Sequence, residues 1–267
     1  MQHALKFGRD MLWPGVFVAA MIWVVWYFPR FIVTMGGAND NMLSKYQTAG
    51  ALDYLMALLA VIGLVVSIST ARATRGEVEP GNVIDRISLF VGRVTMLLLL
   101  GVVGVMFFEV VARYIFEKPT LWANETSLWL AGFIFLLSGI YAMQQRSHIS
   151  IYLVYDMMPR NMQRACDVIS TMLICAFAFF ILWGSWTEAS QKFMRWETFG
   201  TAFDPPIPAT TKMLIIVATM LLAVQAVANL ISDWSRQAEA HALIDETEVE
   251  EMIESAQHQF DQQGRID

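Results

Sequence analysis

Six long apolar stretches dominate this sequence of 267 residues, and they limit the folds that it can adopt. They span residues 11–28, 51–70, 87–108, 126–143, 168–186 and 213–231. Crossing a hydrocarbon core about 30 Å thick takes about 20 apolar residues in helical conformation. None of the stretches alternates between polar and apolar residues, as the strands of an outer-membrane barrel do. The sequence therefore predicts an all-α integral membrane protein with six transmembrane helices.

The composition agrees with a membrane protein and excludes several other classes. Hydrophobic residues make up 56% of the chain and charged residues 16%, whereas about a quarter of the residues in a soluble domain are charged. A soluble globule of this composition would expose large apolar patches, which soluble monomers rarely do. We therefore expect membrane lipids as surroundings and no nucleic acid as a partner.

The distribution of charge predicts how the chain is oriented. The net charge is −6, but residues 233–267 alone carry ten acidic and two basic side chains, so the membrane-embedded part is slightly basic. If the amino terminus is cytoplasmic, the cytoplasmic segments hold eleven Lys and Arg residues and the outer segments seven. Lys and Arg are in excess in cytoplasmic loops, so both termini are predicted to be cytoplasmic. We also expect the first apolar stretch to be retained as a span rather than cleaved as a signal peptide.

Two further segments each mix polar with apolar residues. Residues 144–164 mix aliphatic and aromatic side chains with Arg and Asp, which predicts an amphipathic segment along the inner membrane surface. Residues 237–260 place small and apolar residues seven apart among many Glu. This pattern predicts a solvated cytoplasmic helix, with a partner-binding coiled coil as the alternative.

Residues that carry chemistry are sparse. The four histidines, His3, His148, His241 and His258, all lie outside the spans, so they cannot pair there as the axial ligands of a haem. The sequence also lacks a zinc-like Cys/His cluster and a glycine-rich phosphate loop. We therefore expect no enzymatic activity, no metal and no cofactor on this chain.

Polar residues inside the spans are few, and most lie near span ends. Asp53, Arg93 and Glu109 are placed where their side chains are expected to reach the headgroups. Gln225 and Asn229, four residues apart, are expected to bind a neighbouring helix, although in a self-sufficient channel they would line a pore. The pair Gly101 and Gly104 suggests a close helix contact.

The most informative polar cluster joins the third and fourth spans. Glu109 and Arg113 are four residues apart and would form an ion pair on one helix face. Pro119 is expected to end the incoming helix, and Glu125 to lie at the amino-terminal end of the next helix, where the dipole stabilises a carboxylate. With Trp122 as an aromatic anchor, these residues predict a fixed outer hairpin, which could also be a docking edge for other proteins.

This cluster and the residues that follow it resemble the small-permease (DctQ-like) family of tripartite ATP-independent periplasmic (TRAP) transporters. The matching positions are Arg113, Tyr114, Phe116, Pro119, Trp122, Glu125, Gly139, Arg146, His148, Ile149, Pro159 and Arg160. The resemblance implies a four-helix small-permease domain at residues 83–234, which leaves a two-helix extension at 1–82 and an acidic tail at 235–267. Family members commonly have four spans, and the resemblance says nothing about either addition. Tyr152 stands where the family commonly has an Asp soon after the His.

The resemblance also implies a function and partners. Such a subunit is a stationary scaffold in the bacterial inner membrane for a large, elevator-type (DctM-like) permease subunit, which holds the substrate and sodium sites. A periplasmic binding protein delivers organic acids or other carboxylate-bearing solutes. The implied partner contacts are Glu109, Arg113, Tyr114, Trp122, Glu125, Arg146 and His148. The implied docking candidates are Lys118, in the hairpin, and Lys192 and Arg195, which lie within a second outer loop at 192–208.

Two other functions remain open from the residues alone. The first is a self-sufficient six-helix channel or carrier that uses Gln225 and Asn229. The second is a membrane anchor for a periplasmic enzyme.

Overall fold

The computed structural model describes residues 2–37, 40–74, 76–146 and 158–234, and these residues fold entirely into helices and loops. The helices are α1 (Gln2–Trp26), α2 (Phe28–Thr34), α3 (Asp40–Lys45), α4 (Ala51–Thr70), α5 (Val83–Tyr114), α6 (Trp122–Gln144), α7 (Arg160–Met194) and α8 (Ile207–Asp233). The predicted all-α fold is confirmed.

Five of these helices, α4 to α8, are long and apolar enough to cross a membrane. The first predicted span, residues 11–28, is instead broken: Asp10–Trp26 and Phe28–Thr34 form a pair of helices bent by 59°. Pro29 lies in the first turn of α2, and because it has no amide hydrogen it cannot continue the hydrogen bonding of α1. The six predicted spans are therefore found if the bent pair is counted as one.

The helices α5 to α8 are all longer than the apolar stretches predicted, and α5 and α7 exceed them most. α5 begins at Val83 because Asn82 and Asp85 form a capping box, in which the Asn82 side chain accepts from the Asp85 amide at 2.9 Å. α7 begins at Arg160, so the last part of the predicted interfacial segment belongs to a transmembrane helix. The rest of that segment from 147 to 157, including His148, and the predicted tail helix lie outside the described residues.

The long helices form three antiparallel pairs: α1 with α4, α5 with α6, and α7 with α8. The second and third pairs meet where α6 packs on α8, and the first pair packs on α5. A buried cluster at this junction joins Phe90 of α5 to Ile140 of α6 and Ala218 of α8, and Phe17 of α1 packs against it. The extension α1–α4 thus lies against the remaining four helices, while the division into domains stays a prediction.

Glycine permits two of the closest helix contacts. A methyl group on Gly63 of α4 would lie 3.0 Å from the backbone nitrogen of Phe17, and one on Gly92 of α5 would lie 2.4 Å from the ring of Tyr141. Gly101 and Gly104 do not play this part. Both are exposed, and a methyl group on Gly104 would meet nothing within 4 Å. The prediction of a close contact at that pair is wrong for the described residues.

The bundle has two polar ends. The first, here called the 71–82 end, contains the loop of residues 71–82, the carboxyl ends of α6 and α8 and the start of α7. The second, called the 195–206 end, contains α2, α3, residues 115–121 and the loop 195–206. The sequence predicts that the 71–82 end is cytoplasmic.

Candidate functional site

The hairpin between α5 and α6, which the sequence predicts to lie on the outer side, is organised around the carboxylate of Glu109. Glu109 is 4% exposed, and its Oε1 accepts from Arg113 Nε at 3.1 Å and Nη2 at 2.5 Å. Its Oε2 accepts from the amide of Thr120 at 3.1 Å and from the Thr120 hydroxyl at 2.5 Å. The predicted ion pair on one helix face is confirmed, and the same carboxylate also holds the returning chain.

The end of α5 is formed differently from the prediction. The helix ends at Tyr114, five residues before Pro119. Glu117 adopts a left-handed backbone conformation with φ of 53°, and the amide of Lys118 donates back to the carbonyl of Ala112 at 2.9 Å. This hydrogen bond satisfies one of the carbonyl groups that the end of α5 leaves without a partner in the helix. The interpretation that Pro119 ends the helix is therefore wrong.

The hairpin is tied to the neighbouring outer loop. Glu125 lies in the first turn of α6, as predicted, and accepts a hydrogen bond from the Thr201 hydroxyl at 2.6 Å. The ring of Trp122 stacks on Phe108 of α5 with the centroids 5.6 Å apart. The hydrogen bond restricts how far the hairpin can move relative to the loop 195–206, and the ring contact holds α5 against α6 within the hairpin.

The exposed side chains of this end differ in their partners. Tyr114 is 76% exposed, and Lys118 and Arg195 are exposed as well. Among the described residues, neither Lys118 nor Arg195 forms an ion pair. Lys192, by contrast, lies 2.6 Å from Glu197, which neutralises its charge. Of the three docking candidates, Lys118 and Arg195 are therefore the two whose charges no ion pair among the described residues neutralises.

The N-terminal extension holds the same outer loop from its other side. Phe28 packs against Trp196 and Phe193, each with ring centroids 5.0 Å apart, and Trp26 stacks on Phe203 at 5.5 Å. Trp196 is 7% exposed in a cluster with Ile32, Met42 and Ala209. Sequence reasoning missed these contacts, because no local spacing relates α2 to the loop after α7.

The 71–82 end contains a second buried network. Arg93 donates to both carboxylate oxygens of Glu77, from Nη1 at 2.8 Å and from Nη2 at 2.6 Å, and the Tyr141 hydroxyl donates to Glu77 Oε1 at 2.7 Å. Burial opposes ionisation of Glu77, but the hydrogen bonds from Arg93, the Thr74 amide and Tyr141 outweigh it and lower its pKa to about 2. The loop 71–82 is thereby fixed to α5 and α6.

The partner-contact candidate Arg146 also lies at this end. Its guanidinium binds Asp233 bidentately, at 2.9 and 2.6 Å, and so joins the end of α6 to the end of α8. Arg160 donates to the carbonyl of Asp233 at 2.9 Å, which brings the start of α7 to the same point. Arg146 therefore has a structural role within the chain, whereas His148 lies outside the described residues.

The three charged residues near span ends are inside the protein, which corrects the prediction that they reach the headgroups. Asp53, Arg93 and Glu109 are 1%, 6% and 4% exposed. Asp53 accepts from Trp23 Nε1 at 2.9 Å and from Arg30 Nη1 at 3.2 and 3.3 Å. The ionic partner of Asp53 lies on another helix, that of Arg93 in a loop and that of Glu109 on the same helix, and such pairing makes a buried charge tolerable.

Gln225 and Asn229 join helices, as predicted. Gln225 is fully buried, accepts from the Ser88 hydroxyl at 2.7 Å and donates to Asp85 at 2.8 Å and to Asn229 at 2.9 Å. Asn229 donates to the carbonyl of Met143 at 2.7 Å. The amides thus connect α8 to α5 and α6, and the packing interpretation is confirmed.

The polar groups described above stabilise helix contacts and turns rather than arrange a reactive centre. Within the described ranges, no group of three His, Cys, Asp or Glu side chains is placed to hold a metal ion. The most apolar 18-residue stretch of α7 has no buried residue, so its aromatic face is open to lipid or to another protein. The exposed aromatic residues of this face are Phe177, Phe179, Phe180, Trp183 and Trp186.

Comparison with known proteins finds a matching family model and a curated relative. Residues 102–236 match the family model described as "Tripartite ATP-independent periplasmic transporters, DctQ component", which covers half of the chain. A curated relative, the C4-dicarboxylate TRAP transporter small permease protein DctQ of Vibrio cholerae serotype O1, is 24% identical over 128 residues. That match covers 48% of this chain and 51% of the relative, so the chain spans about half the length of the curated relative that it matches.

Proposed function

The chain belongs to the DctQ component family of TRAP transporters, and from this premise we propose that it is the stationary small membrane subunit of such a transporter. The family is a transporter component and not a family of enzymes, and the chain is a multi-pass protein of the inner membrane. In the proposed complex, a large DctM-like subunit moves the solute, and this chain holds that subunit in place. Both termini are proposed to be cytoplasmic.

The observation that carries the proposal is the pairing of the buried charges. Asp53, Arg93 and Glu109 are each bound to an ionic partner on the same chain, and Gln225 is hydrogen-bonded to neighbouring helices. Ionisable residues in a transport pathway usually face a water-filled cavity or a substrate. Here they hold helices and loops of the same chain together, which suits a rigid scaffold better than a carrier.

The coupling ion and the solute are assigned by what the family resemblance implies. We place the sodium sites on the large subunit and propose that this chain holds no cofactor. The solute is proposed to be an organic acid or another carboxylate-bearing molecule, delivered by a periplasmic binding protein.

The proposed partner contacts are those of the outer hairpin and the loop after α7. Glu109 and Thr120 fix the hairpin, while Tyr114, Lys118 and Arg195 are exposed on it or on the adjacent loop. Exposed cations attract an acidic partner at long range and raise its rate of association. We propose that Lys118 and Arg195 help to dock the binding protein.

Reconstitution tests the scaffold role. The full chain, alone or with a large DctM-like subunit, is placed in proteoliposomes with an inward sodium gradient, a periplasmic binding protein and labelled solute. We expect uptake only when both membrane subunits are present. Sodium-dependent uptake by vesicles that contain this chain alone would contradict the scaffold role.

Charge reversal tests the docking surface separately. Lys118→Glu with Arg195→Glu should raise the concentration of binding protein that gives half-maximal uptake by fivefold or more at low ionic strength, with little effect at high salt. Arg86→Glu, at an exposed position of the 71–82 end, is the matched control and should leave this concentration unchanged. Equal effects of the two changes would count against docking at this end.

A further inference from the structure

A cleft of about 520 Å³ opens at the 195–206 end, between the N-terminal extension and the outer loop. Trp26, Tyr27 and Arg30 line it from the extension, and Trp196 and Phe203 from the loop. Its volume is within the range of small-molecule sites, roughly 300–1,000 Å³. Because both segments form its walls, the four core helices alone would not enclose it.

One part of the lining suits an anion. Arg30 uses Nη1 to hold Asp53, and its guanidinium lies 4.1 Å from the centre of the Tyr27 ring. Its Nε and Nη2 form no hydrogen bond with the residues that the structure describes. Lys45 also lines the cleft and is exposed, and no described carboxylate lies within ion-pair distance of its ammonium. Guanidinium and ammonium groups are the side chains that bind phosphate.

Another part of the lining suits a cation. Asp204 contributes a carboxylate whose Oδ1 accepts from the Gly200 amide at 2.7 Å. The rings of Trp26, Trp196 and Phe203 add aromatic faces, which attract ammonium groups. An inorganic anion would engage Arg30 and leave these groups without a counterpart.

An exposed apolar strip on α1 leads to the cleft. Leu12, Ala19, Ile22 and Trp26 are exposed and, with spacings of seven, three and four residues, lie on one helix face. Trp26, at the end of the strip, also lines the cleft. Acyl chains can therefore follow α1 through the bilayer while the headgroup occupies the cleft.

From these four observations we infer that the cleft binds a phospholipid whose headgroup carries both a phosphate and a primary ammonium, as in phosphatidylethanolamine. The phosphate binds Arg30 and Lys45, and the ammonium binds Asp204 and the aromatic faces. The acyl chains lie along the strip on α1. The bound lipid thereby joins the N-terminal extension to the loop 195–206, which gives the two additional helices a role of their own.

Native mass spectrometry of the delipidated full chain in mild detergent tests this assignment. The probes are phosphatidylethanolamine, phosphatidylglycerol, which has the phosphate without the ammonium, and glycerophosphoethanolamine, which has the headgroup without acyl chains. We expect at least fivefold more bound phosphatidylethanolamine than either of the other two at equal concentration. Equal binding of phosphatidylglycerol, or equal binding of the soluble headgroup, would overturn the assignment.

Variants locate the site. Lys45→Gln combined with Asp204→Asn should reduce bound phosphatidylethanolamine at least fivefold, while Lys118→Gln, an exposed cation of the same end outside the cleft, should not. Asn tolerates the φ of 57° at position 204 and keeps the acceptor for Gly200, and Arg30 is left intact because it pairs with Asp53. Unchanged binding in a double variant with unchanged tryptophan fluorescence would show that the lipid binds elsewhere.

Discussion

Replacing Glu77 by Gln tests whether the 71–82 loop is held by a buried ion pair. The Glu77 side chain is 9% exposed and that of Arg93 7%, and two hydrogen bonds of 2.8 and 2.6 Å join them. The amide side chain of Gln keeps the size of Glu but removes its charge, so the Arg93 guanidinium stays buried without a counterion. Removing one partner of a buried pair costs about 3–5 kcal/mol.

The pKa of Glu77 gives a second measure of the same interaction. Its decrease from 4.5 to about 2 corresponds to no more than about 3 kcal/mol in favour of the charged form, and solvent at the bundle end reduces this figure. We therefore expect Glu77→Gln to lower the free energy of unfolding by about 2–3 kcal/mol at pH 7. Changing Glu77 and Arg93 together, to Gln and Met, should cost at least about 1 kcal/mol less than Glu77→Gln alone, because no unpaired charge remains buried.

The assay is unfolding in mixed micelles with increasing dodecyl sulfate, followed by tryptophan fluorescence. Lys192→Gln, which removes a half-exposed ion pair with Glu197, is the control and should cost less than about 1 kcal/mol. Since the pKa of Glu77 is lower in the folded chain, its contribution is complete above about pH 4.5 and disappears as the pH falls to about 2. The difference between wild type and Glu77→Gln should narrow over that interval. The reasoning would be refuted if Glu77→Gln lowered the free energy of unfolding no more than Lys192→Gln does. It would also be refuted if the difference in unfolding free energy between wild type and Glu77→Gln did not change with pH.

Two further predictions concern packing. Gly92→Ala should lower the free energy of unfolding by about 1–3 kcal/mol, because the new methyl group would lie 2.4 Å from the Tyr141 ring. Gly104→Ala is the control and should be neutral or stabilising, because its methyl group would meet nothing within 4 Å. The same unfolding assay compares the two variants. Phe28→Ala should speed tryptic cleavage at the outer loop by more than Thr201→Val does. Phe28 packs on two aromatic rings, whereas the Thr201 hydroxyl forms only exposed hydrogen bonds, to Glu125 and from the Asp204 amide. Equal cleavage rates in the two variants would contradict this order.

The sequence predicted the features that arise from local spacing. The apolar stretches give the spans, and four-residue spacing gives the pair of Glu109 with Arg113 and that of Gln225 with Asn229. These predictions succeed because residues four apart share one helix face. The place of Glu125 in the first turn of α6 follows from its position directly before the fourth apolar stretch, which begins at residue 126.

The features that the sequence could not predict depend on tertiary packing. Arg93 forms an ion pair with Glu77 of a loop, and Asp53 forms one with Arg30 of another helix. Because hydropathy does not show these partners, it placed Arg93 and Asp53 at the membrane surface. The break after Trp26 was missed because residues 11–28 are uniformly apolar. Pro29, directly after them, was the local signal that could have indicated it.

In the part of the chain that the structure describes, the loop 195–206 contacts both the hairpin and the N-terminal extension, and the strengths of these contacts differ. On the side of the hairpin, Thr201 donates one exposed hydrogen bond to Glu125, worth about 1 kcal/mol. On the side of the extension, Phe28 and Trp26 contribute aromatic pairs to Trp196 and Phe203, each worth about 0.5–1.5 kcal/mol beyond the area that they bury. The extension is therefore the stronger of the two supports. A chain with only the four core helices would keep the hydrogen bond and lose the aromatic contacts, so its outer loop would be held less firmly for any partner that binds there.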